Sequence, residues 1–303
     1  MRGIFLYTVV LYLFCSSCGN STDNISELNS SSADPTITAI PGELTNETVE
    51  EISKNISSPV EIANLLQVLS VPFSPEYLAS HVDPGKQTTA FNKAITLGIL
   101  GADLGYLNIY GKTSTAIDIL SSIRILAEGN RVGQFFDFET IRRLSLDRAS
   151  LDSLLYLSVD SYSRIDKYLR DNDRAHLSSL LVIGVWIEGQ YLATQFIREY
   201  PDPALRDRIG EQKVILNDLI SLANPYCSRD AEFQSLCNYL KEIKEKYRDV
   251  KITYTLGEPV SVERDGGLIV KQTETSKVEM TDEQLADIIK ITKNIRDKLI
   301  LND

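Results

Sequence analysis

From Ser58 onward the apolar positions recur three and four residues apart, the spacing of amphipathic helices. Ser58-Pro59 reads as a serine cap followed by proline at the first helical position, and Ile62, Leu65, Leu66 and Leu69 form the stripe behind it. Pro72, Pro75, Pro84 and Gly85 then punctuate the chain, leaving room for a short helix at about 75–81. Longer helices are predicted at about 88–110, 113–128 and 148–170, with a short one at about 137–144. The stretch 177–197, LSSLLVIGVWIEGQYLATQFI, is apolar nearly all round, as a helix packed on every side would be. It is the expected central helix. Tyr200-Pro201-Asp202-Pro203 forces a turn after it, a helix follows at about 203–223, Asn224-Pro225 breaks that one, and another runs to about 248.

Between 251 and 278 the period changes. The residues become β-branched, Val260 and Val262 alternate with Ser261 and Glu263, and Asp265-Gly266 supplies a tight turn. A small β-hairpin or three-stranded meander is predicted there. Thr281 and Gln284 make a capping box for a last helix carrying Leu285, Ile288, Ile289, Thr292 and Ile295. The predicted fold is mainly α: a multi-helix, antiparallel, bundle-like domain over 58–303 with a β insertion at about 251–278.

The chain before Ser58 has another character. Arg2 precedes an apolar run at 4–14, IFLYTVVLYLF, and Cys15-Ser16-Ser17-Cys18-Gly19 follows. This is similar to a bacterial lipoprotein signal peptide covering 1–17, with cleavage before Cys18 and lipid, palmitate included, placed on that cysteine. Cys15 stands where such signals usually carry leucine. An ordinary secretory signal and an uncleaved anchor are the alternatives, although the run is short for a membrane span. Residues 18–57 are rich in Ser, Asn, Thr and Asp and bury too little to fold alone, so they are expected to be a flexible tether. The expected location is the cell envelope, at the outer membrane.

A formal charge of −11 repels phosphate backbones and argues against nucleic-acid binding. Of the four cysteines, Cys227 and Cys237 remain once Cys15 and Cys18 are assigned to the signal and the anchor. In an exported chain they can form a disulfide worth roughly 2–3 kcal/mol; two free thiols are the alternative. On one continuous helix they would lie about 15 Å apart, so a bridge requires a bend between them. No Cys/His cluster suggests a metal, and no phosphate loop or other cofactor motif is present.

The chemistry worth following lies in two acids on apolar helices. Asp103 and Glu188 each begin an acid-x-x-Tyr-Leu pattern, with Tyr106-Leu107 and Tyr191-Leu192, inside glycine-bearing helices. Side chains lean toward the helix N-terminus, so each tyrosine can cover its acid. A buried carboxylate costs several kcal/mol unless it is paired or hydrogen-bonded. Arg124, among Ile117, Leu120 and Ala127, is the candidate partner. The pair is read in three ways: a satisfied internal network, a ligand cleft lined by Asp103, Tyr106, Glu188 and Tyr191, or an acid/base pair of a hydrolytic enzyme. Gly98, Gly101, Gly105, Gly184 and Gly189 are read as permitting close helix packing. His81 and His176 are read as solvated or capping residues.

Several stretches resemble a group of uncharacterised, mostly helical lipoproteins of the Bacteroidetes: SPVEIANLL (58–66), LGILGADLGYLNIY (97–110), VWIEGQYLAT (185–194), RIGEQKVILNDLI (208–220) and KITYTLGEP (251–259). The resemblance implies an envelope address and a helical architecture, and carries no activity. The leading expectation is a lipid-anchored module that binds an envelope protein or a small solute. A hydrolase using Asp103 and Glu188, or a structural component of the envelope, are the alternatives.

Overall fold

A computed structural model describes residues 65–145, 161, 163–264 and 267–301. The predicted signal, Cys18, the tether and the Ser58-Pro59 helix start lie outside the described residues. So do the Asp265-Gly266 turn and much of the helix expected at 148–170.

The described chain is mainly α. Helix α1 (Ala90–Ile109) starts behind Thr89, whose hydroxyl accepts from the Asn92 N–H. Gly111, at φ 62°, turns the chain into α2 (Thr113–Gly129). Helices α3 (Phe138–Ser145) and α4 (163–171) lead to α5 (Ala175–Glu199), the predicted central helix. Asp202 caps α6 (Pro203–Ala223) by accepting from the Ala204 and Leu205 N–H groups, and Asp230 caps α7 (Ala231–Tyr247) by accepting from Phe233. Strands β1 (Lys251–Arg264) and β2 (Gly267–Glu279) follow, then α8 (Asp282–Leu301). Both halves of the expected capping box are made: the Thr281 hydroxyl accepts from Gln284 N at 3.2 Å, and Gln284 Oε1 accepts from Thr281 N at 2.7 Å.

The local prediction fails over 75–81. The 3-10 turn Pro75–Tyr77 stands there instead of an α-helix, and a second, Pro84–Lys86, follows beyond it. Each begins with proline, and Leu78 already has extended backbone. Between the two turns the segment is an irregular strap whose own Leu78 and Ala79 are buried.

Helix α5 is the axis of the core, packing most extensively on α1 and then on α6 and α8. All but two of the residues from Leu177 to Ile197 are buried. Among the described residues α5 alone is long and apolar enough to cross a membrane, yet 89% of its most apolar window is buried within the protein. Those apolar faces are already covered by neighbouring helices. The approach to α1 is closest at paired glycines: a methyl group on Gly98 would lie 2.2 Å from the Leu181 carbonyl oxygen, and one on Gly184 2.3 Å from that of Ile95. A side chain at either position would push the two backbones apart.

The β element is a two-stranded antiparallel hairpin, pairing Lys251 with Glu279 at its base and Arg264 with Gly267 at its far end, with a register shift between Leu256 and Pro259. The base rests on α6. Val278 fills the space above Gly210, and the Ser276 hydroxyl donates to Glu211. Cys227 and Cys237 are bridged, with Cα atoms 5.8 Å apart. Cys227 follows the 3-10 turn Asn224–Tyr226, and the chain bends before Asp230 to start α7, where Cys237 lies. The bend that a bridge at this spacing requires is therefore present.

Candidate functional site

Asp103 on α1 and Glu188 on α5 meet in the core, and both are 0% exposed. Tyr106, Tyr191 and Arg296 are buried around them. The four residues proposed from sequence as a cleft thus come together, but around a sealed cluster.

The cation that holds the cluster is Arg296 of α8. Its guanidinium donates to Glu188 in a two-point fork, Nε to Oε2 at 2.8 Å and Nη2 to Oε1 at 2.9 Å. Nη2 also donates to the Tyr77 carbonyl of the strap at 3.2 Å. The Tyr191 ring lies against the flat face of the guanidinium, 4.3 Å from its central carbon. Tyr191 therefore covers its own acid's partner, as the lean of helical side chains implies. Asp297 lies 3.6 Å from the remaining nitrogen, Nη1.

Arg124, the partner expected from sequence, is elsewhere. It is exposed on α2 and lies 3.8 Å from an exposed Glu139 carboxylate. The buried stripe of α2 runs through Ala116, Ile119, Leu120, Ile123, Leu126 and Ala127. Arg124 follows Ile123 directly, so it is rotated by roughly 100° off that stripe. Arg296 stands four residues after Thr292 and eight after Ile288, on the buried stripe of the last helix. A charge at that position was the available signal.

Asp103 is bound differently from Glu188. Its Oδ2 accepts from the Ala79 N–H of the strap at 2.7 Å. Among the described residues no donor reaches its Oδ1. The neighbouring carboxyl, Glu188, is itself an acceptor when ionised. Burial, and then the Glu188 charge, push Asp103 well above the usual carboxylate range, against the pull of Arg296 and Ala79. Burial alone would lower Arg296, but the charge and hydrogen bonds of Glu188 more than reverse this, so Arg296 stays firmly protonated.

The tyrosines finish the enclosure. Tyr106 accepts from the Ser74 N–H at 3.0 Å, and its ring packs on Phe73, Tyr110 and Phe196. The Tyr77 ring meets Tyr191 and Phe196 edge-on, while its hydroxyl donates to Glu199. Burial and Glu199 push the Tyr77 phenol up to about 12.

The opposite side of α5 carries a neutral polar system. Trp186 Nε1 donates to Gln212 Oε1 at 2.9 Å, and Gln212 Nε2 donates to the Arg208 carbonyl at 3.2 Å. Gln190 Nε2 donates to the Tyr247 hydroxyl at 2.5 Å, which in turn donates to the Ile209 carbonyl at 3.0 Å. These bonds tie α5 to α6 and α7.

Other sequence candidates lie apart from the cluster. His81 is exposed. His176 sits in the first turn of α5 against Tyr226 and Phe233. Burial, then Arg229 and Arg174, push it down to about 4. Among the described residues no group of three or more His, Cys, Asp or Glu side chains is placed to hold a metal ion. A surface depression of about 250 Å³ is lined by Glu139, Thr140, Arg142 and Arg143, none of which belongs to the acid cluster.

No protein-family model, curated protein or solved structure matches the chain.

Proposed function

We propose that the protein is an envelope lipoprotein, anchored through Cys18, whose helical domain is a binding module for a protein partner or small solute. The observation that carries this reading is the way the candidate cleft is spent. Glu188 is forked by Arg296, Asp103 holds the strap through Ala79, Tyr106 holds Ser74, and Tyr191 covers the guanidinium. A hydrolase built on Asp103 and Glu188 needs both to open to solvent and substrate, whereas both are buried completely. With the interior chemistry committed to cohesion, the outer surface is what the domain offers. The β1–β2 hairpin is its most distinctive part. A two-stranded sheet leaves backbone N–H and C=O groups along its outer edges, a recurrent template for an added strand.

Two experiments on the full chain test the reading. Metabolic labelling with a palmitate analogue is expected to mark the wild type and to fail on Cys18→Ser, which should leave the membrane fraction. Photocrosslinkers placed along β2 and, as a control, on exposed α3 are expected to capture a reproducible partner from the first set alone. Equal labelling of Cys18→Ser would remove the anchor. Absence of a β2-dependent partner, together with absence of any bound solute by native mass spectrometry, would overturn the binding role.

A further inference from the structure

The sealed cluster holds two carboxyl groups and one guanidinium, so with both acids ionised it would carry an uncompensated negative charge. Both Glu188 oxygens are taken by Arg296. The Asp103 carboxyl is buried beside Glu188 with its Oδ1 reached by no donor among the described residues, and two ionised carboxylates there repel each other. One proton changes the arrangement: a neutral Asp103 can donate to Glu188 while its other oxygen still accepts from Ala79 N.

We infer that Asp103 is kept as a neutral acid sharing its proton with Glu188, and that this proton locks together the 75–82 strap, α1, α5 and α8. The groups that each element brings to the cluster of Asp103, Glu188 and Arg296 favour this state. The strap brings the Ala79 N–H and the Tyr77 ring and carbonyl. Helix α1 brings Tyr106, whose hydroxyl is occupied by Ser74. Helix α5 brings Glu188 and Tyr191, and α8 brings Arg296, whose single charge is already forked onto Glu188, with Asp297 on its outer side. Loss of the proton replaces a hydrogen bond with repulsion at the point where the four elements join, so alkaline pH loosens the strap and the last helix.

The direction follows from linkage. A carboxyl raised on folding contributes stability that is complete below its unfolded value near 4 and is lost as pH rises through the folded value. Between those limits the folded chain holds about one more proton than the unfolded chain, so the folding equilibrium constant falls about tenfold per pH unit. Of the other shifted groups, the histidine and the tyrosines act outside pH 7–8.5. His176, pushed down to about 4, acts below its ordinary value of 6.5, and Tyr77 and Tyr110, pushed up to about 12, act above 10.

Three measurements on the full chain test the lock. The infrared spectrum at pH 7.5 should contain the carbonyl band of a protonated carboxylic acid, missing from Asp103→Asn. Calorimetric unfolding at pH 7.5 in buffers of different ionisation enthalpy should release about one proton. Stability between pH 7 and 8.5 should fall steeply for wild type and stay flat for Asp103→Asn, whose amide can donate to Glu188 and accept from Ala79 without titrating. The two wild-type measurements decide the matter even if the variant does not fold. Absence of the acid band, no proton release, or equal slopes for the two chains would overturn the inference.

Discussion

The two sides of α5 fasten the same helix with different chemistry. Toward α1 and α8 it presents Glu188 and Tyr191, and the contact is ionic: a fork to Arg296 beside a second acid. Toward α6 and α7 it presents Trp186 and Gln190, and the contacts are neutral hydrogen bonds to Gln212 and Tyr247. Both sides are buried, and both satisfy polar groups that would be costly in a dry core. The ionic side depends on a charge balance that one proton can change, whereas the neutral side has nothing to titrate near neutral pH. One helix is thus held by a pH-sensitive joint on one side and a pH-indifferent one on the other.

Removing the central cation should separate the two sides most strongly. Arg296→Ala strips Glu188 of its fork and leaves both acids buried without a counter-charge, a class of change that costs about 3–5 kcal/mol. Urea denaturation at pH 6 and pH 8.5 checks it. The loss should be greater at the higher pH, because without the guanidinium neither carboxyl can ionise cheaply. A loss below about 1 kcal/mol would mean that the cluster does not hold α8 to α5.

Packing at the α1 crossing is the next largest effect. At Gly98 an added methyl group meets a backbone carbonyl at 2.2 Å, and backbone of a packed helix has little room to move. Gly98→Ala should cost about 3 kcal/mol by forcing the helices apart. The shift is transmitted to Asp103, one and a half turns further along α1, so the infrared acid band proposed above should weaken as well. An unchanged melting temperature would show that the two helices can separate freely.

The neutral side predicts a smaller effect without a pH signature. Tyr247→Phe deletes the hydroxyl between Gln190 and the Ile209 carbonyl. Leaving those groups unpaired should cost about 1–2 kcal/mol. The cost should be equal at pH 6 and pH 8.5. If it grows with pH as for Arg296→Ala, the contrast between the two sides fails.

How much of this was legible in the sequence follows the same division. Helix periods, caps and breakers are local, so the α elements, the capping box at Thr281 and the change to β structure at 251 could be read directly. Asp103 and Glu188 could be singled out because a charge on an apolar face is itself a signal. Their partner could not be chosen in the same way. Arg124 and Arg296 both stand among apolar residues in the sequence, and which one faces inward depends on a rotation of roughly 100° per residue and on which helix packs against α5. The second requirement is tertiary: Arg296 lies 108 positions from Glu188 in the chain. The strap over 75–82 was missed for a related reason. It is held by Asp103 and Arg296, with Tyr106 holding Ser74 just before it, partners contributed by helices distant in sequence, rather than by its own backbone pattern.

The smallest predicted effect concerns a glycine that sequence reading grouped with the tight crossing. Gly189 follows Glu188 in α5 and is buried, but a methyl group built on it meets nothing within 4 Å. It therefore does not serve the close packing that Gly98 and Gly184 permit. Alanine is favoured over glycine in a helix interior by roughly 0.5–1 kcal/mol, chiefly because it restricts the unfolded chain. With room available, Gly189→Ala should raise stability by about that amount at pH 6 and pH 8.5 alike, as read by urea denaturation. A loss instead would mean that the space beside Glu188 is needed for the Arg296 fork to close, and would place Gly189 on the ionic side of the helix.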